Sequence, residues 1–178
     1  SRSAKEYFCR DVNPLVFAGY SLQKMTYETR ATPSFFHNKT EVSFEMTGAE
    51  INCPKEEYFD LVFTSPPYYK IEKYEGKDQS WLKYKGFNKW LEDFLFRMIT
   101  NAWNSLKAGG IMALNVSDCY ADHKQNIICM PVIKYAESLL ENCEVMGVIG
   151  YEIAKRKKDG PNAEPIIMLR KKPENIYA

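Results

Sequence analysis

The chain has 178 residues and a mass of 20.7 kDa, which suits one ordinary domain and is too short for two. Hydrophobic residues make up 45% and charged residues 26%, the balance of a soluble globular protein that builds its core without staples. Lys plus Arg is 24 and Asp plus Glu is 23, so the net charge is +1, which excludes bulk attraction to nucleic acid and leaves any such contact to a local patch.

No apolar run approaches the roughly 20 residues of a membrane span. The opening Ser1-Arg2-Ser3-Ala4-Lys5-Glu6 is not a secretory signal. The cysteines at 9, 53, 119, 129 and 143 show no CxxC spacing. They read as reduced thiols of an intracellular protein, cytoplasmic or nucleoid-associated, with neither a metal site nor a disulfide framework.

In chain order, Tyr7 to Arg10 reads as a strand ending in Asp11. Asn13 is a candidate N-cap and Pro14 a first-turn proline, opening a helix through Thr26. A strand follows at Glu41 to Glu45 and another at Phe59 to Thr64 (FDLVFT). The clearest element is a helix from Asn88 to Leu106, with Trp90, Leu91, Phe94, Leu95, Met98, Ile99, Ala102, Trp103 and Leu106 in one wide stripe. Lys107-Ala108-Gly109-Gly110 is expected to end it, with glycine in a left-handed turn. Ile111 to Val116 then reads as a buried strand. A helix over Met130 to Asn142 follows, with Val132, Ile133, Ala136, Leu139 and Leu140 inward. The strands Glu144 to Ile153 and Ile166 to Arg170 flank a charged tip at 155–160, as an antiparallel hairpin. Strands alternating with helices predict an α/β fold on a mostly parallel, doubly wound sheet.

The sharpest local feature is Thr64-Ser65-Pro66-Pro67-Tyr68-Tyr69, directly after the FDLVF strand. Ligands of open parallel sheets bind beyond the carboxyl ends of the strands. Two prolines stiffen the segment and remove two donors, leaving carbonyls, a hydroxyl and a ring. That set suits methylation of an exocyclic amine. Such a nitrogen is a poor nucleophile, because its lone pair is delocalised into the ring. The Ser65 oxygen and the Pro66 carbonyl can accept its two N–H groups and aim the lone pair at a methyl donor. Tyr68 would stack on the base.

FDLVFTSPPYY resembles motif IV of the amino-group DNA methyltransferases, which make N4-methylcytosine or N6-methyladenine. Tyr7 to Pro14 is similar to their motif II, Gly48-Ala49-Glu50-Ile51 lies where motif III would, and Trp90 to Val116 resembles motifs V and VI. The likeness runs from about Ala4 to Lys172. It implies a Rossmann-like class I fold in one partial catalytic domain, 1–178, without a separate target-recognition domain. It implies S-adenosylmethionine as cofactor, held by Asp11 at its ribose, with Asn13, Glu50, Ile51 and Thr64 around it. It implies catalytic roles for Ser65, Pro66, Pro67 and Tyr68, DNA as partner, and a restriction-modification setting. Serine at the head of the motif leans toward cytosine N4. Tyr69, Lys70, Lys73 and Tyr74 open a segment rich in lysine and aromatic residues, placed to touch phosphates and unstacked bases.

One family element is missing. No glycine precedes Gly19, so the first strand and its glycine-rich turn, motif I, are absent, and Phe17-Ala18-Gly19-Tyr20 lacks the spacing to replace them. That strand sits mid-sheet, and its loss exposes apolar edges. A missing N-terminal segment, another chain, or a degenerate relative used for binding or assembly would each account for it. Methyl transfer to RNA or a protein amide is the alternative enzyme reading.

Overall fold

The computed structural model describes residues 6–11, 41–73, 77–152 and 163–173. The chain divides into two compact units, Ser1–Ala49 and Glu50–Ala178. In the first, strands β1 (Glu6–Arg10) and β2 (Glu41–Glu45) pair in parallel. Arg10 clamps their ends, donating from Nε and a terminal nitrogen to Glu45 Oε2 at 2.9 and 2.6 Å. The Asp11 amide donates to the Glu45 carbonyl at 3.2 Å, which sets Asp11 at the carboxyl end of β1 as expected. Asn13, the helix anticipated through Thr26, and Phe17-Ala18-Gly19-Tyr20 lie outside the described residues.

The second unit carries a four-stranded sheet in the order β3-β4-β8-β7. The strands are β3 (Phe59–Thr64), β4 (Leu106–Asn115), β7 (Cys143–Glu152) and β8 (Ala163–Lys171). β3 and β4 are parallel, and β8 runs antiparallel between β4 and β7, so the closing hairpin is as expected. β4 is central, and both its faces are buried, Met112 and Leu114 on one and Ala113 and Asn115 on the other. The apolar run that suggested a strand covered on both faces is therefore such a strand. β3 differs. Among the described residues it is an edge strand, and its Leu61 and Phe63 remain exposed.

Between β3 and β4 come a single turn, α1 (Ser80–Lys83), and the long helix α2, built of Phe87–Trp90, a wider π segment Leu91–Phe96, and Arg97–Asn104. The expected stripe is the buried one: Trp90, Leu91, Phe94, Leu95, Met98, Ile99 and Trp103 are all buried. The helix ends two residues early. Leu106 already pairs with Phe59 as the first residue of β4. Lys107 to Gly110 form a bulge inside that strand rather than a helix cap, since Leu106 pairs with Phe59 and Ile111 already with Leu61. Gly109 has φ +84°. A side chain on Gly110 would sit 2.9 Å from the Lys107 carbonyl, so both glycines serve the bulge.

After β4 comes a small antiparallel hairpin that the amino-acid pattern does not announce, β5 (Cys119–Ala121) and β6 (Lys124–Asn126). Helix α3 (Cys129–Leu139) follows. Its Val132 and Ala136 face the core and Leu140, just past the helix, is buried as expected, whereas Leu139 is exposed. The helix stops three residues before the expected Asn142. Phe96 stacks on Tyr135 at 4.1 Å between ring centroids, tying α2 to α3. Asp118 caps α3 from ten residues upstream. Its Oδ1 accepts the Ile128 and Cys129 amides at 2.7 and 2.9 Å. Asp118→Ala is expected to cost about 1–2 kcal/mol of stability, the loss of a side-chain cap, measured by urea unfolding. All five cysteines are free thiols. Among the described residues no helix is long and apolar enough to cross a membrane.

Candidate active site

The sheet register brings the chemistry-bearing residues to one edge. Thr64 lies opposite Leu114, and Leu114 opposite Ile167. Just beyond that row come Ser65 from β3, Asn115 from β4 and Glu164 from β8. Because β8 is antiparallel, its amino end meets the carboxyl ends of β3 and β4. This edge is where ligands of open α/β sheets bind.

The Ser65-Pro66-Pro67-Tyr68 loop leaves β3 without regular structure. Ser65 is exposed, and its hydroxyl has no hydrogen-bond partner among the described residues. Pro66 is buried, which anchors the loop, while Pro67 and Tyr68 are half-buried. The Tyr68 hydroxyl donates to Asn115 Oδ1 at 3.1 Å and lies 3.5 Å from Glu164 Oε2. Burial, reinforced by the Glu164 and Glu72 carboxylates, pushes its phenol well above the ordinary tyrosine value. Tyr68 is therefore a neutral donor at any physiological pH, with its ring held at one tilt. Asn115 and Glu164 stand at this candidate site beside Tyr68, and sequence reasoning missed them. They stand 47 and 96 positions from Tyr68, and no motif links them.

The next residue has a different job. Tyr69 was expected to meet substrate, but it is only 1% exposed. Its ring packs edge-on to Phe87 at 5.4 Å and tilted to Trp90 at 5.5 Å. It is the bolt that fastens the loop to α2. Lys70, with φ +55°, turns its ammonium onto Asp122 at 2.7 and 2.9 Å. That pairing holds the Asp122 carboxyl below its usual range. Lys70 is thus already neutralised within the chain. Lys73 is exposed and carries no ion pair among the described residues. Tyr74 lies outside them.

Of the residues expected to hold a cofactor, Asp11 ends β1 and Thr64 ends β3, each half-buried. Glu50 is buried, and its Oε1 accepts Lys83 Nζ at 2.9 Å and the Tyr84 hydroxyl at 3.2 Å. Ile51 is exposed. Asn13 is outside the described residues.

No protein-family profile matches the chain, and no curated protein does. Solved structures do resemble it. The N-methyltransferase NodS from Bradyrhizobium japonicum WM9 superposes with a TM-score of 0.56 at 13% identity, over 95% of this chain and 75% of its own. A second NodS structure, in complex with S-adenosyl-L-homocysteine, gives 0.52 at 14% identity, over 94% and 67%. A SAM-dependent methyltransferase from Methanosarcina mazei gives 0.53 at 9% identity, over 95% and 83%. The fold is that of the Rossmann-like class I S-adenosylmethionine-dependent methyltransferases.

Proposed function

We propose that the chain transfers a methyl group from S-adenosylmethionine to an exocyclic amino group of a DNA base, with cytosine N4 favoured over adenine N6. The observation that carries this is the Ser65-Pro66-Pro67-Tyr68 loop at the carboxyl edge, with an exposed hydroxyl and an anchored ring.

The bound cofactor supplies an electrophilic methyl on a positively charged sulfur. This chain's residues do the rest. The Ser65 oxygen and the Pro66 carbonyl accept the two N–H groups of the target amine, drawing the nitrogen toward a tetrahedral geometry. Their partial negative charge stabilises the ammonium as the nitrogen gains its methyl, and the surplus proton then leaves to water. The Tyr68 ring lies flat against the base. Asp11, as a carboxylate at a strand end, suits a pair of ribose hydroxyls.

Among the described residues no glycine-rich turn follows a strand to receive the methionine portion. The resemblance implies such a turn, which we propose is supplied, with its strand along β3, by another chain or by a segment beyond the described residues. The exposed Leu61 and Phe63 on that edge strand support this arrangement.

The test is a methylation assay with labelled S-adenosylmethionine and unmethylated DNA, followed by digestion to nucleosides and mass analysis. The chain is assayed alone and with whatever copurifies. Labelled N4-methylcytosine is the expected product. Label in N6-methyladenine would keep the reaction and change the base. Label in RNA or a protein amide, or none in any fraction, would overturn the assignment.

A further inference from the structure

The Ser65–Tyr68 loop runs directly into a turn that its own residues disfavour. The Ile71 amide donates to the Tyr68 carbonyl at 3.3 Å, closing a turn with Tyr69 and Lys70 at its centre. Lys70 has φ +55°, at the second central position, where a left-handed backbone favours glycine or asparagine. Its ammonium reaches the β5–β6 hairpin and donates to both oxygens of Asp122, at 2.9 and 2.7 Å. The Tyr69 hydroxyl donates to Oδ2 of the same carboxylate at 3.3 Å. The Cys119 thiol donates to the Tyr69 carbonyl at 3.6 Å. Both central residues of the turn are thus held by one hairpin, chiefly by one carboxylate.

The hairpin is itself held against backbone preference. Its turn residues, Asp122 and His123, have φ +54° and +59°, the left-handed pair of a two-residue type I′ turn. Asn126 secures that turn, donating from its side-chain amide to the Ala121 and Lys124 carbonyls at 3.0 and 3.2 Å. Its Oδ1 is then left buried with no hydrogen-bond partner among the described residues, which is unfavourable. The strained positions are therefore Lys70 and Asp122, the two members of the ion pair, with His123 beside one of them. Such strain persists only where the surroundings over-determine it, and it gathers where geometry serves a site.

We infer that Asp122 is a positioning residue, which holds the Tyr68–Ile71 turn from the hairpin and so fixes where the Tyr68 ring stands. The ring is gripped at both ends. Asn115 takes its hydroxyl, and the turn that begins at its own carbonyl is held by Asp122. Lys70 and Asp122 keep side-chain exposures of 32% and 45%, so their pairing adds little to global stability and its effect is local. The hold on the turn is independent of any reaction. Its effect on turnover rests on the methyl-transfer reading above.

Hydrogen exchange of the full chain, read by mass spectrometry on peptides covering 64–73, tests the hold without any substrate. Asp122→Asn keeps the hairpin turn, because asparagine suits a left-handed position, and removes the charge. It is expected to speed exchange in that segment about fivefold, with 97–104 at wild-type rates and the urea midpoint unchanged. Lys70→Asn separates grip from turn. Asparagine suits φ +55° but carries no ammonium, so exchange should quicken here too, whereas a turn set by backbone preference alone would slow. Lys70→Arg, which keeps a two-pronged donor, should restore the wild-type rate. The double variant Asp122→Asn with Lys70→Asn should be no faster than either single one, since both remove the same contact. In the methylation assay, Asp122→Asn is expected to lower kcat about tenfold at saturating DNA, with the KM for S-adenosylmethionine unchanged. Unchanged exchange over 64–73, or faster exchange in both segments with a lowered urea midpoint, overturns the positioning role. Faster exchange over 64–73 with unchanged kcat also overturns it and spares the methyl-transfer reading. If exchange behaves as expected but the wild type methylates no base, the hold stands and that reading falls.

Discussion

Ser65→Ala is expected to lower kcat by about a hundredfold or more while leaving S-adenosylmethionine affinity near its original value. The hydroxyl is exposed and makes no hydrogen bond among the described residues, so nothing in their packing depends on it. In the proposed reaction its work is done only when the target amine arrives. Groups that stabilise charge developing in the transition state are each worth roughly 10²–10³ in rate. Tyr68 separates into two contributions. Tyr68→Ala removes the stacking ring, at about 1–3 kcal/mol. Tyr68→Phe keeps the ring and loses only the hydroxyl's hold on Asn115 and Glu164, about 0.5–1.5 kcal/mol, so its loss of rate is smaller. Steady-state kinetics with isothermal titration of the cofactor give the answer. A collapse of cofactor affinity with unchanged turnover per bound enzyme would remove Ser65 from the chemistry.

The parts of this fold that the sequence announces are those driven by apolar periodicity. FDLVFT is β3 to the residue, and the stripe from Trp90 to Trp103 is the buried face of α2. The SPPY loop is legible too, because prolines and a strand end fix its place. The illegible parts depend on contacts between distant residues or on unusual backbone. The β5–β6 turn uses Asp122-His123 where a readable hairpin would carry Asn-Gly. The Lys107–Gly110 run looks like a helix end but is a bulge, because β3 comes close enough to pair with Leu106. Tyr68 and Tyr69 are neighbours of the same type with opposite fates, one facing the site and one in the core. Strand-like alternation past Thr64 is broken by the prolines, so nothing in the sequence says which ring turns inward. Asn115 and Glu164 join the site only through sheet register, which a single sequence does not display.

Trp90→Ala is expected to destabilise the protein by about 3–5 kcal/mol, the usual cost of truncating a buried tryptophan. The residue is 1% exposed. Its indole N–H donates to the buried Ser80 hydroxyl at 2.9 Å, and its ring lies 5.5 Å from Tyr69 and 5.6 Å from Phe94. Such a loss is a large share of a typical domain's roughly 5–15 kcal/mol, so the urea midpoint falls steeply. The cavity opens directly beside Tyr69, the bolt of the Ser65–Tyr68 loop. Activity per folded molecule should therefore fall as well. Trp103 provides the control. It is buried to 2% exposure, and its N–H donates to the Glu141 carbonyl at 3.1 Å. It lies 13 positions further along α2, about 20 Å at the rise of a helix, toward the end away from Tyr69. Trp103→Ala should cost comparable stability and leave turnover per folded molecule nearly unchanged. Compared without urea at a temperature where both variants stay folded, equal specific activities would show that Tyr69 does not transmit core packing to the loop. A deficit confined to Trp90→Ala would mean that the loop is positioned from the core, through the buried tyrosine of the pair.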